Sequence, residues 1–211
     1  MTHPPIVLLH GLATSARRTW VETGWVDLLA DAGRTVIAVD LPGHGGAPLL
    51  EDWSTLEDVV ADQLPDGPLD AVGFSLGARV LLVLASRRPD RFGRLVLAGA
   101  GANLFRQREE GAIPDQIGRH FAGLAESSGT DPAAVEALLA RPQPRLDDDE
   151  LRAITADTLV VMGTDDFAGP ADPLVQRLST VRLVELRGVD HFATPKSMAF
   201  LDAGLTHLGA A

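Results

Sequence analysis

Cysteine is absent from the 211 residues. Disulfides and thiolate metal sites are thereby excluded, and the fold must stand on its core alone. Positive charge is scarce too: 18 Lys and Arg against 29 Asp and Glu leave a formal charge of −11. Nucleic acid and anionic membrane surfaces would be repelled and are not expected partners. No apolar run approaches the ~18 residues of a membrane span. The N-terminus, Met1-Thr2-His3-Pro4-Pro5, has no basic stretch, and only Ile6-Val7-Leu8-Leu9 run together before His10. A secretory signal is therefore not expected, and the cytoplasm is the expected compartment. Internal repeats, linkers and low-complexity tracts are likewise missing. Arg141-Pro142-Gln143-Pro144-Arg145 is the most linker-like stretch and is short enough for a loop. One domain over residues 1–211 is the expected organisation.

The chain does contain short continuous apolar runs separated by helical patterns. Ile6–Leu9, Thr35–Val39, the run ending at Phe74 and Arg94–Ala98 read as strands covered on both faces, and Thr158–Met162 and Val181–Leu186 as further strands. Between them, Thr19–Ala32 reads as one helix, with Trp20, Trp25, Leu28 and Leu29 at helical spacing and Gly33 as its stop. Ser54-Thr55-Leu56-Glu57 has the form of a capping box for a helix reaching Leu64. Leu76–Arg88, Asp172–Leu178 and Pro195–Leu208 are further helices. The connections are too long for hairpins. The fold class is therefore α/β, a mainly parallel sheet with helices on both faces. From about 101 to 156 the alternation lapses into three helical stretches, Asp115–Leu124, Pro132–Ala140 and Asp148–Ile154, the second capped by Asp131. The expected role of this insertion is a small helical cap over the strands' C-terminal ends, where open parallel sheets bind ligands.

Gly73-Phe74-Ser75-Leu76-Gly77 stands where a buried strand gives way at once to a helix. A bare G-x-S-x-G carries little weight in a chain with 21 glycines, so its weight comes from that context. A serine in so tight a turn adopts a strained backbone that lifts its hydroxyl above the sheet, and a Cβ two residues to either side would collide with the neighbouring strand and helix. A serine hydroxyl is a poor nucleophile without a base oriented by a third group. His3, His120 and His207 lie at a terminus or in helices and read as surface or packing. His10, His44 and His191 all lie in loops at strand C-termini. His191 is preferred as the base, because its loop leads out of the sheet with room to swing over Ser75. Asp165 and Asp166, just past the fifth strand, are both within reach as the orienting carboxylate. An oxyanion would need two N–H donors: Leu76 at the helix start is one, and Leu12, after His10-Gly11, is placed to be the other. His10 then reads as a residue that shapes its loop.

These stretches together resemble the α/β-hydrolase superfamily, in its serine carboxylesterase and lipase-like branch. His10-Gly11-Leu12-Ala13-Thr14-Ser15 is similar to its oxyanion loop, Asp40-Leu41-Pro42-Gly43-His44-Gly45 to its D-x-P-G-H-G turn, Gly73–Gly77 to its nucleophile elbow, Gly163-Thr164-Asp165-Asp166 to its acid turn and Val189-Asp190-His191-Phe192 to its histidine loop. The resemblance covers nearly the whole chain outside the cap. It implies Asp166 over Asp165 as the acid and Ser75, Asp166 and His191 as the catalytic set. With only five residues before Ile6, the sheet is expected to have about six strands. Asp190 stands where the family often has glycine, and is either a second carboxylate near the base or a turn residue. Serine at the nucleophile position disfavours the aspartate-using dehalogenase and epoxide-hydrolase branches.

The expected activity is hydrolysis of a carboxylic ester through an acyl-enzyme, with no cofactor and no metal. Phe74, Phe167 and Phe192 near the site favour a small or medium apolar acyl group, so the expected partner is a small-molecule acyl substrate. A thioesterase, lactonase, C–C hydrolase or lyase on the same residues, or a non-catalytic binding protein of the same fold, are the alternatives. The oligomeric state stays open.

Overall fold

The computed structural model describes residues 3–105 and 115–211, and of 115–117 the backbone alone. Six strands, β1 (Ile6–Leu9), β2 (Val36–Val39), β3 (Leu69–Phe74), β4 (Phe92–Ala98), β5 (Asp157–Gly163) and β6 (Val181–Leu186), form one sheet in the order β2-β1-β3-β4-β5-β6. Every neighbouring pair is parallel. The period of two that a strand imposes divides its side chains between two cores. Val7, Leu9, Ala71, Leu95 and Leu97 face one of them, beneath α2 (Leu56–Gln63) and α3 (Leu76–Arg87). Ile6, Leu8, Val72, Phe74, Val96 and Ala98 face the other, beneath α1 (Trp25–Asp31) and α8 (Met198–Leu208).

Between β4 and β5 lie α4 (Asp115–Ser128), α5 (Pro132–Ala140) and α6 (Asp148–Arg152), and between β5 and β6 the short α7 (Asp172–Val175). Asp131 caps α5 by accepting from Ala133 N–H, with Pro132 in the first turn. Ile117, expected on the apolar face of α4, has a side chain outside the described residues. Among the described residues no helix is long and apolar enough to cross a membrane.

Three local expectations are corrected. Thr19–Ala32 is not one helix: a π-helical turn over Arg17–Val21 is separated from α1 by Gly24 at φ +86°. Trp20 and Trp25, five residues apart, would stand about 140° apart on one continuous helix. The break lets both enter the same core, edge to face at 5.6 Å, and Leu28 is left exposed. The capping box at Ser54 does not form either. Asp52 accepts from Ser54 N–H and caps the chain two residues earlier, while Glu57 turns inward to a buried ion pair with Arg141. The second strand, expected to be buried, lies at the sheet's edge, where coverage is incomplete, and only Val39 is fully buried there.

The strand order positions the site. From β1 the chain moves outward to β2, then returns to place β3 on the other side of β1. The two strands therefore end side by side, Leu9 opposite Gly73, and the loop after each opens into the same crevice. This is the switch point at which open parallel sheets receive ligands.

Candidate active site

Ser75 sits between β3 and α3 at φ +53°, a left-handed backbone uncommon for a residue with a Cβ. Its neighbours make the turn possible. A Cβ on Gly77 would lie 2.1 Å from Leu9 O, and one on Gly73 2.6 Å from Ala78 N, so neither position has space for a side chain. Ser75 N–H donates to Ala98 O and Gly77 N–H to His10 O, which stitches the turn to β4 and to the loop after β1. Ser75 itself stays partly exposed.

His191 Nε2 lies 2.9 Å from Ser75 Oγ. Its Nδ1 lies 2.9 Å from each carboxylate oxygen of Asp166. A carboxylate accepts only, so Nδ1 carries the hydrogen and Nε2 is left as acceptor for the serine hydroxyl. Asp166 Oδ1 also accepts from Ala168 N–H at 2.8 Å, and both the acid and the imidazole are buried. Three side chains 116 and 25 residues apart in sequence thus form one continuous hydrogen-bonded chain. A chemical group next to Ser75 Oγ would meet a hydroxyl whose proton already has a destination.

The imidazole is held on its faces as well. Phe74 lies 4.9 Å from it and Phe167 4.3 Å, both tilted by less than 40°. Phe192 stands edge-on at 5.6 Å and stacks at 3.8 Å on His120 of α4. Phe74 is buried behind the ring, whereas Phe167 is 40% exposed. The remaining expected donors, Leu12 and Leu76 N–H, have no hydrogen-bond acceptor among the described residues, and a Cβ on Gly11 would come within 3.4 Å of Ser75 Cβ.

Other candidates lie elsewhere. Asp165 is exposed and accepts from Thr164 Oγ1. Asp190 accepts from Ala193 N–H and shapes the turn that carries His191, so it is a turn residue. His207 is buried between Arg182 and Asp157 O, with burial holding its pKa below the ordinary histidine value. His10 and His44 are completely buried. Burial first, and the neighbouring His44 second, push His10 down to about 3; burial also lowers His44, against opposing contributions from Pro42 O and Asp40. Among the described residues no cluster of His, Cys, Asp or Glu is arranged to hold a metal.

Sequence reasoning missed Gly99. At φ +65° it closes β4, and a Cβ there would lie 2.8 Å from Phe74 Cε2 and 3.0 Å from His191 Cε1. The only signal was a run of small residues, Ala98-Gly99-Ala100-Gly101, at a strand's C-terminal end. It also missed the anchoring of the inserted segment on the loops after β1 and β2. Ser128 Oγ donates to Ala13 O and Thr130 Oγ1 to Thr14 O, while Asp131 N–H donates to Gly43 O.

A family model described as the alpha/beta hydrolase fold matches residues 4–197. The pimeloyl-[acyl-carrier protein] methyl ester esterase of Nitrosomonas europaea is 30% identical over 86% of this chain and 86% of its own. The enzyme of the same name from Aromatoleum aromaticum is 37% identical over 64% of this chain. The matched part is about half of that relative, 53% of its length, and only 28% of the corresponding Neisseria meningitidis serogroup A protein. Among solved structures, a 2-hydroxy-6-oxo-6-phenylhexa-2,4-dienoate hydrolase from a Rhodococcus species superposes with a TM-score of 0.77 over 99% of this chain and 91% of its own, at 20% identity. The enol-lactonase of Burkholderia xenovorans does so with 0.72 over 99% and 92%, at 22% identity.

Proposed function

The chain belongs to the α/β-hydrolase family, and from that premise we propose that it is a serine hydrolase cleaving carboxylic esters. The observation that carries the reading is the unbroken line from Asp166 through His191 to Ser75 Oγ, each step 2.9 Å. In the proposed cycle Ser75 Oγ attacks the ester carbonyl carbon as its proton passes to His191 Nε2. Asp166 stabilises the imidazolium so formed. The negative charge that develops on the carbonyl oxygen is taken by Leu12 and Leu76 N–H, the latter at the positive end of α3. The C–O bond then breaks, and the alcohol leaves with the proton from His191. Water, deprotonated by the same imidazole, attacks the acyl carbon; the C–Oγ bond breaks, Ser75 Oγ takes the proton back from His191, and the acid is released.

Phe167 and Phe192 are the aromatic wall for an apolar acyl group, and Phe74 supports the imidazole from behind. The curated relatives are named for a methyl ester on an acyl chain, which favours esters of short alcohols with small to medium acyl chains as the substrate class. Helices α4 and α5, fastened to the loops after β1 and β2 through Ser128, Thr130 and Asp131, serve as the cap, and α6 packs on α3. Hydrolysis of p-nitrophenyl acetate, p-nitrophenyl butyrate and methyl butyrate by wild type and Ser75→Ala tests the proposal. Wild-type turnover with a loss of about 10⁴-fold or more in the variant is expected. Equal rates in the two would discard Ser75 as nucleophile. A folded protein that never acquires a fluorophosphonate on Ser75 would point to a binding protein instead.

A further inference from the structure

The loop that carries the Leu12 N–H is held by two buried histidines. His10 Nδ1 lies 2.7 Å from Gly11 O, and its Nε2 accepts from Leu41 N–H at 3.0 Å. His44 Nε2 accepts from Ala13 N–H at 3.1 Å, and its Nδ1 lies 2.8 Å from Pro42 O. A backbone N–H can only donate and a carbonyl only accept, so both rings are fixed in the same tautomer, hydrogen on Nδ1 and lone pair on Nε2. The rings lie 5.1 Å apart. Among the described residues, Asp40 is the carboxylate beside them, 3.6 Å from His10 Nε2 and accepting from Ala16 N–H.

The two peptide planes that flank Leu12 are the ones so held. Gly11 O and Leu12 N–H belong to one peptide, which is planar and trans, so fixing the carbonyl on His10 fixes the opposite direction for the N–H. Ala13 N–H belongs to the next peptide, and His44 fixes that one. Ala13 is at φ +61°, a conformation that a residue with a Cβ does not keep unless its surroundings impose it. Pinning both planes leaves Leu12 little torsional freedom. His10 O in turn accepts from Gly77 N–H, so the aimed N–H and the Ser75 turn share one frame.

We propose that His10 and His44 are positioning residues for ester hydrolysis, aiming the Leu12 N–H at the oxyanion by holding the two peptides on either side of it. His44 is the more informative of the two, since its acceptor meets the strained residue directly. The inference rests on the serine-hydrolase reading above, and the experiment separates them. In His44→Phe the ring is kept and the acceptor lost. Its kcat, counted per serine that a fluorophosphonate titrates, is expected to fall roughly 10- to 100-fold, less than the ~10²–10³ for complete loss of a donor. KM should change little, and inhibition by a trifluoromethyl ketone, which forms a tetrahedral adduct, should weaken in proportion. His44→Gln, whose amide oxygen reaches the same position, should recover most of the rate.

A purely structural role would reduce the number of titrated serines and leave the rate per serine unchanged. That result, or equal kcat per serine in the Phe and Gln variants, overturns the proposal. Should His44→Phe not fold, His44→Asn replaces it. Its amide is too short for Ala13 N–H, so the same loss is expected, and a rate per serine equal to that of His44→Gln again overturns it. Full activity in Ser75→Ala would bring down the serine reading itself. An inactive Ser75→Ala beside an unimpaired His44→Phe would bring down only the aiming role.

Discussion

Individual backbone positions decide where the groups of the proposed site stand. Ser75 at φ +53° is tolerated because Gly73 and Gly77 leave space that any Cβ would occupy. That requirement was legible in the sequence, since it follows from a strand meeting a helix with a single residue between. Gly99 was not legible, because what its missing side chain makes room for, Phe74 and the imidazole of His191, comes from other parts of the chain. Gly99→Ala combines a positive φ with contacts of 2.8 and 3.0 Å. We expect it to displace the His191 ring and lower kcat at least ~10-fold, with a stability loss of about 1–3 kcal/mol. Steady-state kinetics on p-nitrophenyl butyrate and urea unfolding check both. An alanine variant with unchanged kcat would show that the ring has more room than the contacts allow.

Elements were read well where their pattern was local and less well where a distant partner intervened. Asp131 and Pro132 start α5 as the residue types dictate. Ser54-x-x-Glu57 has the letters of a capping box, yet Glu57 is drawn away by Arg141, 84 residues on, in a two-pronged pair of 2.6 and 3.0 Å. Both side chains are more than 90% buried there, and the pair joins α5 to α2. Removing one partner strands a buried charge. Glu57→Ala should therefore cost about 3–5 kcal/mol in urea unfolding, while the double change Glu57→Leu with Arg141→Met should cost far less. Single and double variants of equal stability would mean that the pair is solvated. Because α5 also meets the Asp40–Gly46 turn through Asp131 N–H and Gly43 O, Glu57→Ala should raise KM more than it lowers kcat.

Taken as a unit, the protein should resist acid poorly for a reason in its interior. His10 is completely buried with its pKa lowered from 6.5 to about 3, so between those values the unfolded chain binds a proton that the folded one refuses. The stability linked to this group is intact above pH 6.5 and is lost progressively as the pH falls toward 3. His44 acts in the same direction. At pH 5 the loss from His10 alone is about 2 kcal/mol relative to pH 8. Urea midpoints measured from pH 8 to 4 on wild type and His10→Gln should diverge, the variant falling less steeply; parallel curves would contradict the burial. The residue order alone settled the α/β class, the number of strands and which loops lie at their C-terminal ends, because apolar runs and turn residues are local properties of a chain. Whether an alcohol, an imidazole and a carboxylate meet, and what His10 and His44 hold, was decided only by the packed molecule. Strand order brings the loops after β1 and β3 together, and hydrogen bonds depend on distances through space that sequence separation does not contain.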